Sequence, residues 1–190
     1  MDKRLFVAIK INPSEAFLQR IYLLKENLKV DNINWIREDH YHITLKFLGK
    51  TTAEIIPQIM EKLRDIASNM GSFPISVDKL GLFGSKYHPR VIWLAIQDSG
   101  HITRLHYQLQ SQLKSLGFSP QAGSFIPHLS IARIRKIEDK SYFHQVMAKF
   151  ENGTIQAQNI EKVLLYESIL SSKGAEYQVL GEFPLAEGMR

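Results

Sequence analysis

The stretches "YHITLKFLG" (41–49) and "PHLSIARIR" (127–135) write one phrase twice: histidine, apolar residue, small hydroxyl residue, apolar residue. Both runs are rich in β-branched and aromatic residues, so each predicts a strand. Alternate side chains of a strand share a face. His42 and Thr44 therefore share one face and Ile43 and Leu45 the other. In the second copy His128 and Ser130 share a face, and Leu129 and Ile131 lie behind them. Each motif (42–45 and 128–131) thus presents an imidazole beside a hydroxyl, with two apolar anchors for a core. The separation, 128 − 42 = 86 residues in a chain of 190, is about half the chain.

The surrounding chain repeats its order. "RLFVAIKI" (4–11) predicts a strand, and Pro13-Ser14-Glu15 opens a helix with Phe17, Ile21, Leu24 and Leu28 at helical spacing. Thr51-Thr52-Ala53-Glu54 is a capping signature for a helix to about Met70. "FPISVDKLGLF" and "RVIWLAIQD" predict two strands joined by "GSKYHP". Ile102, Leu105, Leu109, Leu113 and Leu116 mark a helix ending at Gly117; another runs from about Asp139 to Phe150, broken by Asn152-Gly153. "IQAQNIEKVLLYESIL" and "AEYQVLGEFPL" predict two closing strands around "SSKGA".

The order is β-α-β-α-β, then β-α-β-α-β-β, with the motif on the second strand of each half. Strands and helices do not alternate one for one, which predicts an α+β fold rather than a doubly wound parallel sheet. The expectation is one domain spanning 1–190, built as two pseudo-twofold-related lobes around a central groove. Each lobe is a mainly antiparallel sheet with its helices outside. A division would fall near 88–90 or after Arg133, with the final strands as candidates to cross between lobes.

Composition narrows the chemistry. Hydrophobic residues are 44% and charged residues 23%, ordinary for a globular chain. With no cysteine there is no disulfide, thiolate metal site or cysteine nucleophile. The apolar run "LFVAI" before Lys10 is too short for a signal peptide, and no stretch reaches membrane-spanning length, so the expectation is a cytoplasmic protein without a membrane partner. The net charge of +5 is compatible with a phosphate-bearing ligand, but no dense Lys/Arg run marks a long nucleic-acid footprint. Two histidines facing one groove suit acid–base chemistry near neutral pH, one ring taking a proton and the other giving one. Hydroxyls beside them can donate to phosphoryl oxygens. The fitting reaction is hydrolysis or transfer at a phosphodiester.

On these residues the sequence resembles the RNA 2′,3′-cyclic phosphodiesterases, also described as 2′-5′ RNA ligases, of the two-histidine phosphoesterase superfamily. The matching pieces are "RLFVAI", "WIREDHYHITLKFLG", "RVIWLAI", "FIPHLSIARIR" and "LYESILSSKGAEYQVL". The resemblance implies that His42 protonates the departing ribose 3′ oxygen and that His128 activates water. It also implies that Thr44 and Ser130 grip phosphate oxygens, with Ser130 standing where many relatives have threonine. The fifth residue after each histidine is Phe47 or Arg133. The resemblance makes these a base-stacking aromatic and a phosphate-holding arginine; the residue types alone also allow a core aromatic at Phe47 and a surface salt bridge at Arg133. An odd offset points away from the histidine face, so a bulge or strand end must intervene.

The implied substrates are RNA ends or nucleotides bearing a 2′,3′-cyclic phosphate, and neither metal nor other cofactor is expected. A 2′-5′ ligase, a phosphodiesterase for another small substrate, and a nucleotide-binding module without turnover remain alternatives. A monomer is expected, because the pseudo-dimer lies within one chain. His40 and His42 form a His-x-His pair without a third ligand at recognisable spacing. His88, His101, His106 and His144 are expected in loops or on helix surfaces, and Trp35 in packing. By alternation Lys46 lies on the His42 face, either solvated or meeting a phosphate. Tyr41, Phe83 and Tyr87 belong either to a nucleotide pocket or to the core.

Overall fold

The motif strands each lie in a separate antiparallel sheet, and the two sheets meet along them. The structure is a computed structural model and describes residues 2–121, 123–150, 154–172 and 174–187. The strands are β1 (Lys3–Lys10), β2 (Asn32–Trp35), β3 (His42–Thr51), β4 (Phe73–Ser85), β5 (His88–Gln97), β6 (His128–Lys136), β7 (Gln156–Ile160), β8 (Lys162–Ser171) and β9 (Gly174–Pro184). The helices are α1 (Glu15–Asn27), α2 (Ile56–Ser68), α3 (His101–Lys114) and α4 (Lys140–Phe150). The first sheet has the order β3-β1-β8-β9 and the second β2-β6-β5-β4-β7. The expected α+β, two-lobed architecture is present. The break expected at Asn152-Gly153 lies outside the described residues.

Local signals place the helices. The Ser14 hydroxyl accepts from the Phe17 amide at 3.2 Å and starts α1, which buries Phe17, Ile21 and Leu24. The Asp98 carboxylate accepts from the Ile102 amide at 2.7 Å at the start of α3. The Asp139 carboxylate accepts from the Tyr142 amide at 3.0 Å at the start of α4. The signature at Thr51–Glu54 leads instead into a 3₁₀ turn, Ala53–Ile55, with Pro57 opening α2. Helix α2 packs on β8, β9 and α3; α3 packs behind β3; α4 packs on β4 and α1. Ile43, Leu45, Leu129 and Ile131 are all fully buried in one apolar core shared by both lobes. Each such side chain contributes roughly 1.5–3 kcal/mol relative to exposure. Among the described residues no helix is long and apolar enough to cross a membrane.

The chain changes sheet at places the periodicity did not mark. Residues 88–90 open β5 inside the β4–β5 hairpin, and Arg133 lies within β6, so neither is a lobe boundary. The chain instead visits the second sheet for β2, returns to the first for β3, crosses again between α2 and β4, and crosses back at Glu161. The run read as one strand over 155–170 is therefore two. β7 is an edge strand of the second sheet, whereas β8 is central in the first and buries Val163, Leu164 and Leu165 consecutively. A central strand covered on both faces reads as a continuous apolar run and hides the junction. The short strand β2, "NINW", carries too little periodicity to be read at all.

Candidate active site

Both motif strands break their alternation at the same place. In β3, Thr44 pairs with Ala8 and Lys46 with Val7, so Leu45 is the extra residue of a bulge. In β6, Ser130 pairs with Trp93 and Ala132 with Ile92, so Ile131 is extra. After each bulge the parity is reversed. Leu45 and Lys46 are both buried, as are Ile131 and Ala132. Phe47, 64% exposed, and the exposed Arg133 rejoin the histidine face. The bulge thus brings His42, Thr44 and Phe47 to one face of the first sheet, and His128, Ser130 and Arg133 to one face of the second.

The two imidazoles are held alike. His42 Nδ1 lies 2.7 Å from the His40 carbonyl oxygen, and His128 Nδ1 lies 2.8 Å from that of Ile126. A carbonyl only accepts, so each Nδ1 carries the proton and donates it. In the neutral rings this leaves the Nε2 lone pair unused. Strands β3 and β6 are in contact, and the charge of His128 acts on His42, so both rings belong to one groove.

The beds beneath the rings differ. His42 rests among Phe6 (centroids 5.0 Å apart) and Tyr177 (5.3 Å, edge-on), with Tyr166 stacked on Phe6 at 5.1 Å. His128 meets Phe83 edge-on at 4.7 Å, and Phe83 stacks on Trp93 at 4.9 Å. Gly81 makes room for that stack, since a Cβ there would lie 2.3 Å from the Trp93 ring. Burial lowers the His42 pKa to about 4, assisted by the charges of Lys10, His40 and His128 and opposed by the His40 carbonyl. Burial also lowers His128, against its carbonyl partner.

Lys10, outside both motifs, stands opposite His42 in the β1–β3 ladder. Its ammonium donates to the Asp39 carbonyl. Burial lowers its pKa while the Asp39 charge opposes that. The alternation Phe6, Ala8, Lys10 along β1 was the available signal, but it needed the β1–β3 register. A cleft of about 440 Å³ beside His42 is lined by Lys10, His40, Tyr166, Tyr177, Gln158 and Glu182, among others.

Three expectations change. Lys46 neither meets the groove nor is solvated. It is 1% exposed on the core side, because the bulge turned it inward. There it donates to Gln110 Oε1 and to the Ser119 carbonyl, the latter at 3.1 Å. His106 is buried rather than on a surface. Its Nδ1 donates to the carbonyl of the bulge residue Leu45 at 2.7 Å, and its ring stacks on Phe125 at 3.9 Å. His101 is half-buried and stacks on Phe73 at 4.7 Å. His106 and Gln110, one turn apart on α3, thereby tie the first motif's bulge to the segment leading to His128. Of the undecided aromatics, Tyr41 is core, Phe83 lines the groove beneath His128, and Tyr87 stands exposed at the β4–β5 tip. His40 lies 3.6 Å from Glu176, its ring is tilted against Tyr177 at 4.6 Å, and its carbonyl anchors His42.

The chain is similar to proteins of known family and fold. The family model described as LigT-like phosphoesterase matches residues 11–93. The chain is 29% identical over 187 residues to an RNA 2′,3′-cyclic phosphodiesterase of Thermotoga maritima, covering 98% of this chain and 97% of that one. It is 29% identical over 181 residues to one of Archaeoglobus fulgidus, covering 95% and 99%. Among solved structures, E. coli LigT complexed with 3′-AMP superposes with a TM-score of 0.79 at 23% identity, covering 98% of this chain and all of that one. A Thermus thermophilus protein superposes at 0.81 and 22% identity, with the same coverage. At these identities the solved structures establish the fold.

Proposed function

We propose that this chain is a LigT-like phosphoesterase, as its similarity to that family model and to curated RNA 2′,3′-cyclic phosphodiesterases supports, and that it hydrolyses 2′,3′-cyclic phosphate ends of RNA or nucleotides to 2′-phosphomonoesters. The observation that carries the mechanism is the matched pair of histidines, each anchored through Nδ1 to a carbonyl, with Nε2 left for the substrate. The phosphate lies between them. His128 Nε2 takes a proton from water as the water oxygen attacks phosphorus. The P–O3′ bond breaks, and His42 Nε2–H gives its proton to the departing O3′. The 2′ ester remains. His42 ends neutral and His128 protonated, and exchange with solvent restores the starting state. Thr44 and Ser130 donate to the non-bridging oxygens, Arg133 holds phosphate, and Phe47 offers a face to a base.

The free protein favours two neutral rings near pH 7, because burial lowers both pKa values. A bound phosphodiester brings one negative charge between them. That charge opposes the burial and the nearby Lys10, and it draws one proton onto the pair. Donor His42 and acceptor His128 rest on the family resemblance. The chemistry needs only imidazoles and hydroxyls. The test is incubation with a 2′,3′-cyclic nucleotide in excess EDTA, with the product identified. Turnover to the 2′-monophosphate is expected. Loss of turnover in chelator, or a 3′-monophosphate product, overturns the mechanism. Tight binding without turnover points to a binding module.

A further inference from the structure

The two lobes differ in charge: near His42 the charges are of both signs and mostly paired, whereas the second lobe carries cations without ion pairs among the described residues. On the first, Asp39, Glu161, Glu176 and Glu182 all line the cleft beside His42. The cations there are largely spoken for: Arg37 pairs with Asp39 and Glu176, and Lys162 with Glu182 at 2.6 Å. On the second lobe the sequence has no Asp or Glu from Lys79 to Gln97, nor from Phe118 to Ile137. Strand β6 carries Arg133 and, two residues on, Arg135; both are exposed. Arg133 pairs with Val91, the neighbour of Arg90. The ladder then closes at Ser85–His88, with Lys86 and Tyr87 at the hairpin tip and Tyr87 71% exposed. Among the described residues, Lys86, Arg90, Arg133 and Arg135 form no ion pair.

We propose that the body of a single-stranded RNA, its cyclic end held between the histidines, leaves the groove across the second lobe. It follows β6 past Arg133 and Arg135 and passes over the β4–β5 hairpin. This rests on the function proposed above and adds the surface along which the RNA body leaves the reacting end. A polyanion crossing the first lobe meets charges of both signs that are mostly paired with each other. Crossing the second, it meets four cations without internal partners and an aromatic ring flanked by two of them. Unpaired cations and exposed aromatics are the two components of sequence-tolerant single-strand binding. The formal charge of +5 over the whole chain hides this, because the asymmetry lies between lobes.

The test compares wild type with the hairpin variant Lys86→Ala/Tyr87→Ala/Arg90→Ala, and with a control, Arg64→Ala/Lys114→Ala, on α2 and α3. Substrates are a 2′,3′-cyclic mononucleotide and a decamer RNA ending in a 2′,3′-cyclic phosphate. Wild type should prefer the decamer. The hairpin variant should lose roughly tenfold of that preference, through KM, while its mononucleotide turnover stays within about twofold. The salt dependence of decamer binding should flatten, with a log–log slope shallower by about 1.4 for two lost cations. The control should match wild type. Equal performance of hairpin variant and wild type on the decamer, or an equal loss in the control, overturns the proposal. If wild type turns over neither substrate, the hydrolase reading has failed. Fluorescence anisotropy of a labelled decamer then still decides the surface, with roughly tenfold weaker binding expected in the hairpin variant and equal binding overturning it.

Discussion

Strands β3 and β6 agree in backbone and differ in surroundings. Each begins with a histidine tied to the carbonyl two residues earlier, and each bulges at the fourth motif position. Opposite His42 stands Lys10; opposite His128 stands Ala95. Behind the first bulge lies Lys46; behind the second, Ala132. The shared backbone anchors two imidazoles alike, as the proposed proton transfers require. Burial above all lowers His42 to about 4, with the charge of Lys10 assisting, and lowers His128 in the same direction.

The largest expected effect tests whether the two strands have distinct duties. His42→Ala and His128→Ala should each cost at least roughly 10²–10⁴-fold in kcat. A substrate with sulfur in place of O3′ leaves without a proton. It should restore most of the His42→Ala loss and little of the His128→Ala loss. The reverse pattern would exchange the roles, which the stronger depression of His42 in the free protein makes a real contest.

The next effect tests the asymmetry behind the bulges. Lys46→Met leaves Gln110 Oε1 and the Ser119 carbonyl without the lysine donor. A buried group deprived of its partner costs about 1–3 kcal/mol, to be read from urea unfolding. The segment carrying His128 should loosen, so kcat should fall more than KM changes. Ala132→Ser, at the matching position, should change turnover little.

The smallest effect is in pH. With His42 lowered to about 4 and His128 also below its ordinary value, the free protein holds one protonated and one neutral ring only on the acid side of neutrality. The kcat/KM profile should therefore peak below about pH 6.5, where unperturbed histidine titrates. The same shifts affect stability. Below about pH 6.5 the unfolded chain takes up protons that the folded one refuses, so stability is full above that pH and falls towards pH 4. His42→Asn should lose less stability over that interval, as thermal unfolding at about pH 7 and about pH 5 would show.

Much of the site was legible because short-range rules govern it. Strand alternation put His42 beside Thr44 and His128 beside Ser130, and the odd offset of Phe47 and Arg133 demanded a bulge. Lys46 was misplaced because alternation was carried through a bulge whose position depends on pairing with Val7 and Ala8. His106 was misplaced because its partners lie on β3 and at Phe125, distant in sequence. Lys10 was overlooked because its importance comes from register rather than from any local pattern.

By itself, then, the sequence determined the elements, the repeated motif and the apolar residues that anchor it, since periodicity and capping act over a few residues. Tertiary structure alone decided which strand pairs with which, that β4 and β8 lie in opposite sheets, and where parity reverses. It also decided that the charges near His42 are mostly paired, whereas Lys86, Arg90, Arg133 and Arg135 on the other lobe form no ion pair among the described residues. These depend on which distant segments meet, and burial, charge and hydrogen-bond partners follow from that meeting.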